Sequence, residues 1–185
     1  MSDPFDILMV CTGNICRSPT AELVAAHRLP PESFRVHSAG TYGLEGYPIE
    51  PGAARPLQDL GIAYDAFRAR RLTAEQVEGA DLVLVATREH RTAVVTLVPS
   101  ALPRTFTLRE FARLVEHVEG LPGDDLAERG RALVAAAAAQ RGRVWVPPEA
   151  DDIDDPYGLG PKAYDRAAAE IAEALRLPLE RLAGV

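Results

Sequence analysis

At 185 residues, with 47% hydrophobic and 25% charged side chains, the chain has the length and balance of one globular domain with a full core. Its net charge of −7 excludes a nucleic-acid backbone as the main partner, because phosphates select basic faces. No apolar run approaches the ~20 residues of a membrane span, Asp3 and Asp6 break a signal-peptide pattern, and two cysteines make no secreted disulfide framework, so a reducing cytoplasm is expected.

The first apolar run, Ile7-Leu8-Met9-Val10, predicts a buried strand that ends in the thiol of Cys11. Thr12-Gly13-Asn14-Ile15-Cys16-Arg17 then reads as a tight loop, with Ser18 as N-cap and Pro19 as first residue of a helix running to Arg28. A loop entering a helix N-terminus can turn successive backbone N–H groups inward as a nest, and the helix dipole adds positive charge. Gly13 and Asn14 tolerate the positive φ angles such a curl needs. Arg17 supplies a planar fork for two oxygens of a phosphate. Cys11 would sit at the base of this electropositive cup, where a thiol pKa falls from about 8.5 into roughly 3.5–7.5. The Ser18 hydroxyl is placed to donate to the sulfur. The loop thus predicts an oxyanion site with a nucleophile beneath it, and no Gly-Lys-Ser/Thr follows to make it a Walker loop.

Val10-Cys11-x-Gly13-Asn14-x-Cys16-Arg17-Ser18-Pro19 resembles the N-terminal signature of the low-molecular-weight protein tyrosine phosphatases. The resemblance implies Cys11 as nucleophile, Arg17 as phosphate ligand, and Thr12, Gly13, Asn14, Ile15, Cys16 and Ser18 as the rest of the phosphate loop.

Beyond the first helix, whose end carries His27, Phe34–Ala39 alternates as a second strand, with His37 facing away from Ser38. Ser38-Ala39-Gly40-Thr41 also resembles the family, which implies a hydrogen bond from Ser38 into the phosphate loop. The Gly- and Pro-rich stretch 42–51 is a loop where the resemblance implies a wall of the substrate cleft, supplied by Leu44 or Tyr47. Short helices are expected over 52–60 and, capped by Thr73, through Glu78. Phe67-Arg68-Ala69-Arg70-Arg71 matches the family's His-x-Ala-Arg pattern with Phe67 in place of histidine. The resemblance then implies that Asn14 lacks its usual support, and the arginines are expected on a solvated face.

Asp81–Ala86 reads as a central parallel strand, 88–98 as a helix with His90 on the surface at its start, and 104–107 as a fourth strand. The expected fold is α/β: a single doubly wound domain over 1–185, with a central four-stranded parallel sheet flanked by helices and Cys11 at a strand's C-terminal end. Residues 108–142 carry two helical patterns, longer than the family resemblance leads one to expect, and read as an inserted helical pair packed on the sheet edge. A last helix is expected over 161–176, followed by a short tail.

Between these lies an acidic stretch, Glu149-Ala150-Asp151-Asp152-Ile153-Asp154-Asp155-Pro156-Tyr157-Gly158. A thiolate that attacks a phosphate monoester needs a partner to protonate the leaving oxygen, and neighbouring carboxylates with partial burial can raise an aspartate's pKa for that task. Pro156 restricts the backbone of Asp155 to extended conformations. The family's Asp-Pro-Tyr/Phe motif is matched by Asp155-Pro156-Tyr157, which implies Asp155 as general acid and Tyr157 as cleft wall. Asp151 and Asp152 are expected to be solvated. A calcium loop fails on spacing, with Pro156 at its fifth position, so no metal or cofactor is expected.

These residues predict hydrolysis of phosphotyrosine in proteins, or of small aryl phosphates, through a phosphocysteine intermediate, without nucleic acid or membrane as partner. Two other readings share the fold: arsenate reduction with a small thiol, since no cysteine follows Cys16 to form a relay, and a non-catalytic oxyanion- or partner-binding module. Phosphoarginine is disfavoured because relatives with that specificity carry threonine where this chain has Ile15. Cys16 is a candidate disulfide partner that would protect Cys11 from over-oxidation. The sequence carries no signal for oligomeric state.

Overall fold

The computed structural model describes residues 3–123, 125–143 and 146–184. The apolar runs become β1 (Phe5–Cys11), β2 (Phe34–Gly40), β3 (Leu82–Val85) and β4 (Thr105–Thr107), all parallel in the order β2-β1-β3-β4. Every residue of β1 is buried, as a strand covered on both faces requires. Phe5, Ile7 and Met9 enter one core with α1 (Arg17–Arg28), α2 (Pro51–Asp59), α5 (Leu108–Val115), α6 (Leu126–Ala139) and α7 (Pro161–Ala183). Leu8 and Val10 face the other, with α3 (Ala74–Gly79) and α4 (Arg88–Leu97). The expected doubly wound sheet is therefore present. The chain leaves β1 toward β2 and later returns to its other side as β3, which opens a crevice at the strands' C-terminal ends, where Cys11 sits.

Capping explains several boundaries. Thr73 and Thr107 each form a reciprocal capping box, with Gln76 and Glu110; Thr73 starts α3 as expected, and Thr107, the last residue of β4, also starts α5. Ser18 does not cap α1. The helix begins at Arg17 with Cys16 at the N-cap position and no side-chain cap, because the Ser18 hydroxyl is engaged within the loop. The expected C-terminal tail is also helix: α7 continues through Pro178 to Ala183. Burial of Leu179 and Leu182 outweighs the hydrogen bond that proline removes. His37 faces away from Ser38, as expected, and pairs with Asp6 at 2.6 Å. Burial pushes the Asp6 carboxyl up, but His37 and Arg35 outweigh it and hold the pKa low.

Residues 108–142 fold as α5, a connection and α6. α6 crosses the N-terminal end of β1, where Gly130 lets it approach the Phe5 ring, and Arg131 pairs with Asp81 at 2.9 Å. Arg141 lies 4.0 Å over the Phe106 ring and pairs with Glu110 at 3.1 Å, tying α6 to β4 and α5. Since α6 covers the start of β1 and Cys11 ends it, the helix lies roughly 20 Å from the thiol.

One close approach fixes how β2 meets the phosphate-loop segment. A Cβ on Gly40 would collide with the Thr12 carbonyl and lie 2.9 Å from the Asn14 nitrogen. Gly40→Ala should therefore cost about 2 kcal/mol or more, seen as a fall of roughly 4–8 °C in melting temperature. A wild-type melting curve would show that the loop can retreat freely.

Candidate active site

The shape of the loop after β1 follows from where its carbonyls go. The carbonyls of Cys11, Thr12, Gly13 and Ile15 accept from the amides of Thr41, Tyr42, Leu44 and Glu50 at 2.9–3.0 Å. The 41–50 segment thus holds these peptide oxygens outward, which leaves the N–H sides of the same planes to the concave face at the start of α1. Asn14 alone among described non-glycine residues takes a positive φ, 56°, as expected; Gly13 does not need one.

Asn14 is also the hub of a buried network. Its Oδ1 accepts from the Arg70 amide at 2.7 Å, which fixes the orientation of the side chain. Its Nδ2 donates to Ser18 Oγ at 2.8 Å and to Ser38 Oγ at 2.7 Å, and Ser38 donates on to Glu22 at 2.5 Å. Having accepted from Asn14, the Ser18 hydroxyl points its proton at its nearer acceptor, the Cys11 sulfur at 2.9 Å rather than the Ala39 carbonyl at 3.5 Å. The missing histidine therefore leaves no gap. Phe67 is buried in the core, and the Arg70 backbone with Ser18 and Ser38 satisfies Asn14 without it. Arg70 is correspondingly no mere solvated charge, since its guanidinium pairs with Glu22 at 3.3 Å. Glu22 went unnoticed in the sequence, although it follows Ser18 by four residues on one helix face. Burial raises its pKa, against the opposing pull of Ser38 and Arg70.

Arg17 is 4% exposed. Its Nη1 donates to the Ile153 carbonyl at 2.9 Å and its Nη2 to Asp155 Oδ2 at 2.6 Å, while its buried Nε has no partner among the described residues. Asp155, 47% exposed, is delivered by a segment latched at several points. The Ile153 amide donates to the Ala86 carbonyl at 2.9 Å, Asp152 accepts from the Arg88 amide at 2.7 Å, and Asp151 pairs with Arg113 of α5 at 2.6 Å. Asp151 and Asp152 are thus anchors rather than solvated charges, and Asp151 is buried. Their partners lie 38 and 64 residues away, so no local pattern announced them.

Cys11, Thr12, Gly13, Ile15, Cys16, Arg17 and Asp155 share one cleft of about 220 Å³ with three walls, Tyr42, Leu44 and Tyr157. Leu44 and Tyr157 lie where expected. Tyr47 does not line the cleft: its backbone bonds to Leu44 and Ala69, and its side chain is exposed. Tyr42, which sequence reasoning missed, takes a place at the wall; its amide donates to the Thr12 carbonyl at 2.9 Å, which sets it beside the loop. A larger hollow of about 490 Å³ between α5 and α7 is lined by surface charges and contains no nucleophile.

The sequence model described as "Low molecular weight phosphotyrosine protein phosphatase" matches residues 6–122. The chain belongs to this family. It is a family of cysteine-dependent phosphatases, and the match takes in the phosphate loop but stops before Asp155. The chain is 39% identical over 99 residues to the low molecular weight protein-tyrosine-phosphatase Etp of Escherichia coli K12, covering 54% of this chain and 66% of Etp, just under two thirds of that relative. Among solved structures it resembles the YwlE arginine phosphatase from Geobacillus stearothermophilus, with TM-score 0.72, 29% identity, and coverage of 97% of this chain and 93% of that one. It also resembles Vibrio vulnificus Wzb in complex with benzylphosphonate, with TM-score 0.70, 25% identity, and coverage of 96% and 99%.

Burial, reinforced by the nearby Cys11, Asp155 and Glu50 charges, pushes the Cys16 thiol up to about 12, so Cys16 stays protonated at neutral pH. His90 is not on the surface. It is 6% exposed, with Nε2 2.8 Å from Thr12 Oγ1 and Nδ1 2.7 Å from Thr87 Oγ1, and burial together with Arg17 lowers its pKa to about 4. Thr87 caps α4, and the histidine three residues on, expected at the surface, turns inward.

The depressed His90 value gives a pH dependence with a definite sign. An unfolded chain protonates this histidine near 6.5, the folded protein only near 4, so stability is full above pH 6.5 and drains as pH falls toward 4. The loss across that window should be about 3 kcal/mol relative to His90→Gln, in which nothing titrates there. Denaturant unfolding of both proteins at pH 7 and pH 4.5 reads this difference; parallel pH curves would contradict a buried neutral imidazole.

Proposed function

We propose that this chain is a protein tyrosine phosphatase that hydrolyses aryl phosphate monoesters through a phosphocysteine intermediate. The observation that carries the reading is the convergence of Cys11, Arg17 and Asp155 in one aromatic-walled cleft. The inward amides and the unpartnered Arg17 Nε are donors for the oxygens of a phosphoryl group. The Ser18 proton steadies the Cys11 sulfur as a thiolate below the phosphorus atom.

In the first step the sulfur lone pair forms an S–P bond as the P–O bond to the leaving group breaks. Asp155 gives its proton to that oxygen, so an alcohol or phenol departs rather than an anion. The Asp155 carboxylate then takes a proton from water as the water attacks phosphorus. The S–P bond breaks, its electrons return to Cys11, and inorganic phosphate leaves. Every step is supplied by the chain and water, and no metal or cofactor enters.

Tyr42, Leu44, Tyr157 and Ile15 give the cleft apolar and aromatic walls suited to a phenyl ring, which favours phosphotyrosine and small aryl phosphates. Likeness to an arginine phosphatase raises phosphoarginine as a second substrate. The apolar Ile15 side chain at the cleft offers a guanidinium no hydrogen bond, so the preference for the aryl ester should hold. Two free thiols fit a reducing compartment such as the cytoplasm, and no described helix is long and apolar enough to cross a membrane. Cys16 lines the cleft with Cys11 and would trap a sulfenic acid on Cys11 as a disulfide, releasing water, at a rate slowed by its protonated thiol.

Cys11→Ser should abolish hydrolysis of p-nitrophenyl phosphate while inorganic phosphate still binds; retained turnover would refute the mechanism. Asp155→Asn should slow phenyl phosphate by roughly 10²–10⁴-fold and p-nitrophenyl phosphate much less, since the better leaving group needs less protonation. An equal loss on both esters would assign the proton to another group. After peroxide and then thiol treatment, wild type should regain activity that Cys16→Ser does not, and equal recovery would remove the protective role.

A further inference from the structure

One buried titratable side chain touches the phosphate loop and takes no part in the steps above. His90 stands in the first turn of α4, on the opposite side of the loop from the Asn14 network. Both its ring nitrogens are engaged, Nδ1 with Thr87 Oγ1 at 2.7 Å and Nε2 with Thr12 Oγ1 at 2.8 Å.

The donors decide which way these bonds run. The His90 backbone N–H can only donate, and it donates to Thr87 Oγ1 at 3.3 Å as the cap of α4. The Thr87 hydroxyl proton is then free for the imidazole and meets Nδ1, the ring atom beside it. With Nδ1 accepting, a neutral imidazole carries its single proton on Nε2 and donates it to Thr12 Oγ1. Thr12 Oγ1 is thus held as an acceptor, so its own proton must point elsewhere. Thr12 lines the cleft with Arg17 and Asp155, and the same two charges act on His90.

We infer that His90 is a positioning residue that fixes the Thr12 hydroxyl as a hydrogen-bond donor to an oxygen of the phosphoryl group bound in the cleft. The inference rests on the phosphatase reading only for what the oxyanion is. The ordering of Thr12 by His90 concerns oxyanion binding as well as turnover. The charge of the imidazole matters to it: a protonated ring would carry hydrogen on Nδ1 and turn the Thr87 proton away, beside the positive Arg17.

The test uses the full-length protein with p-nitrophenyl phosphate for turnover and inorganic phosphate for binding. Thr12→Val and His90→Leu should each lower kcat/KM about tenfold or more, the size of one hydrogen bond to a charged oxygen. The double variant should be no worse than Thr12→Val alone, because His90 acts through Thr12. His90→Gln places an amide N–H near the site of Nε2 and should recover to within about threefold of wild type, with both limbs of the pH–rate profile unmoved. Thr12→Ser should likewise recover. Losses that multiply in the double variant, a His90→Gln as poor as His90→Leu, or a shifted pH limb would overturn the inference. Should His90→Leu not fold, Thr12→Val and Thr12→Ser against His90→Gln decide it: the valine must lose activity while the other two keep it. Should wild type hydrolyse no phosphate ester, the phosphatase reading fails. Weaker binding of inorganic phosphate by Thr12→Val and His90→Leu would still support the His90–Thr12 pair, and unchanged binding would end it.

Discussion

The phosphate loop can face its amides inward only because something else accepts the burden of its carbonyls. A loop of this length that bound an anion with unsatisfied backbone oxygens at its back would lose in burial what it gained at the front. Here the 41–50 segment supplies one amide after another to those oxygens, and Gly40 lets β2 come close enough for the segment to start in register. The site is therefore a property of two neighbouring strand ends and not of the signature stretch alone. Asn14 completes the constraint, since its positive φ costs energy that three hydrogen bonds from its own side chain offset.

The second half of the site comes from 138 residues further along, and its placement depends on anchors of a different kind. Ile153 is fully buried and bonded to the end of β3, so the chain must pass beside Arg17 before it can leave the core. Arg113 then draws Asp151 against α5, which couples the segment carrying Asp155 to a helix in 108–142. α5 and α6 have separate consequences: the first helps set where Asp155 stands, while the second braces β1 at the end away from the thiol. Removing Arg113 would leave Asp151 buried without its charge partner, a costlier change than losing an exposed pair.

Much of this was legible in the residue order. Alternating and apolar stretches pointed to all four strands, Thr73 marked a helix start, and Cys11, Arg17 and Asp155, singled out for their chemistry, fall in one cleft. What escaped were features set by partners distant in sequence. His90 looks like an exposed polar residue in a helix's first turn until Thr12, 78 residues earlier, arrives beside it. Asp151 and Asp152 look like a solvated acidic run until Arg113 and the Arg88 amide claim them. Ser18 satisfies every local rule for an N-cap, yet its hydroxyl is drawn off by Asn14 and Cys11, and α1 starts without a cap. Tertiary hydrogen bonds override the local preference in each case.

Phe67 shows how far such a network can be rebuilt. A histidine in that place would be expected to support Asn14, and its replacement by an apolar ring suggests a weaker loop. The Asn14 side chain nevertheless has both amide protons and its oxygen occupied, and the chain of donors runs in one direction, from Arg70 N–H to Asn14, then to Ser18 and Cys11 on one branch and to Ser38 and Glu22 on the other. Glu22 must remain an acceptor for the second branch to hold, and burial works against that by raising its pKa while Arg70 works for it. The buried floor of the site thus depends on an ion pair at its edge. The walls follow the opposite rule: Tyr42 and Tyr157 are 73% and 60% exposed and make few demands on their neighbours. The loop's geometry is fixed by interlocked donors, and the cleft walls are left to side chains that can change without disturbing them.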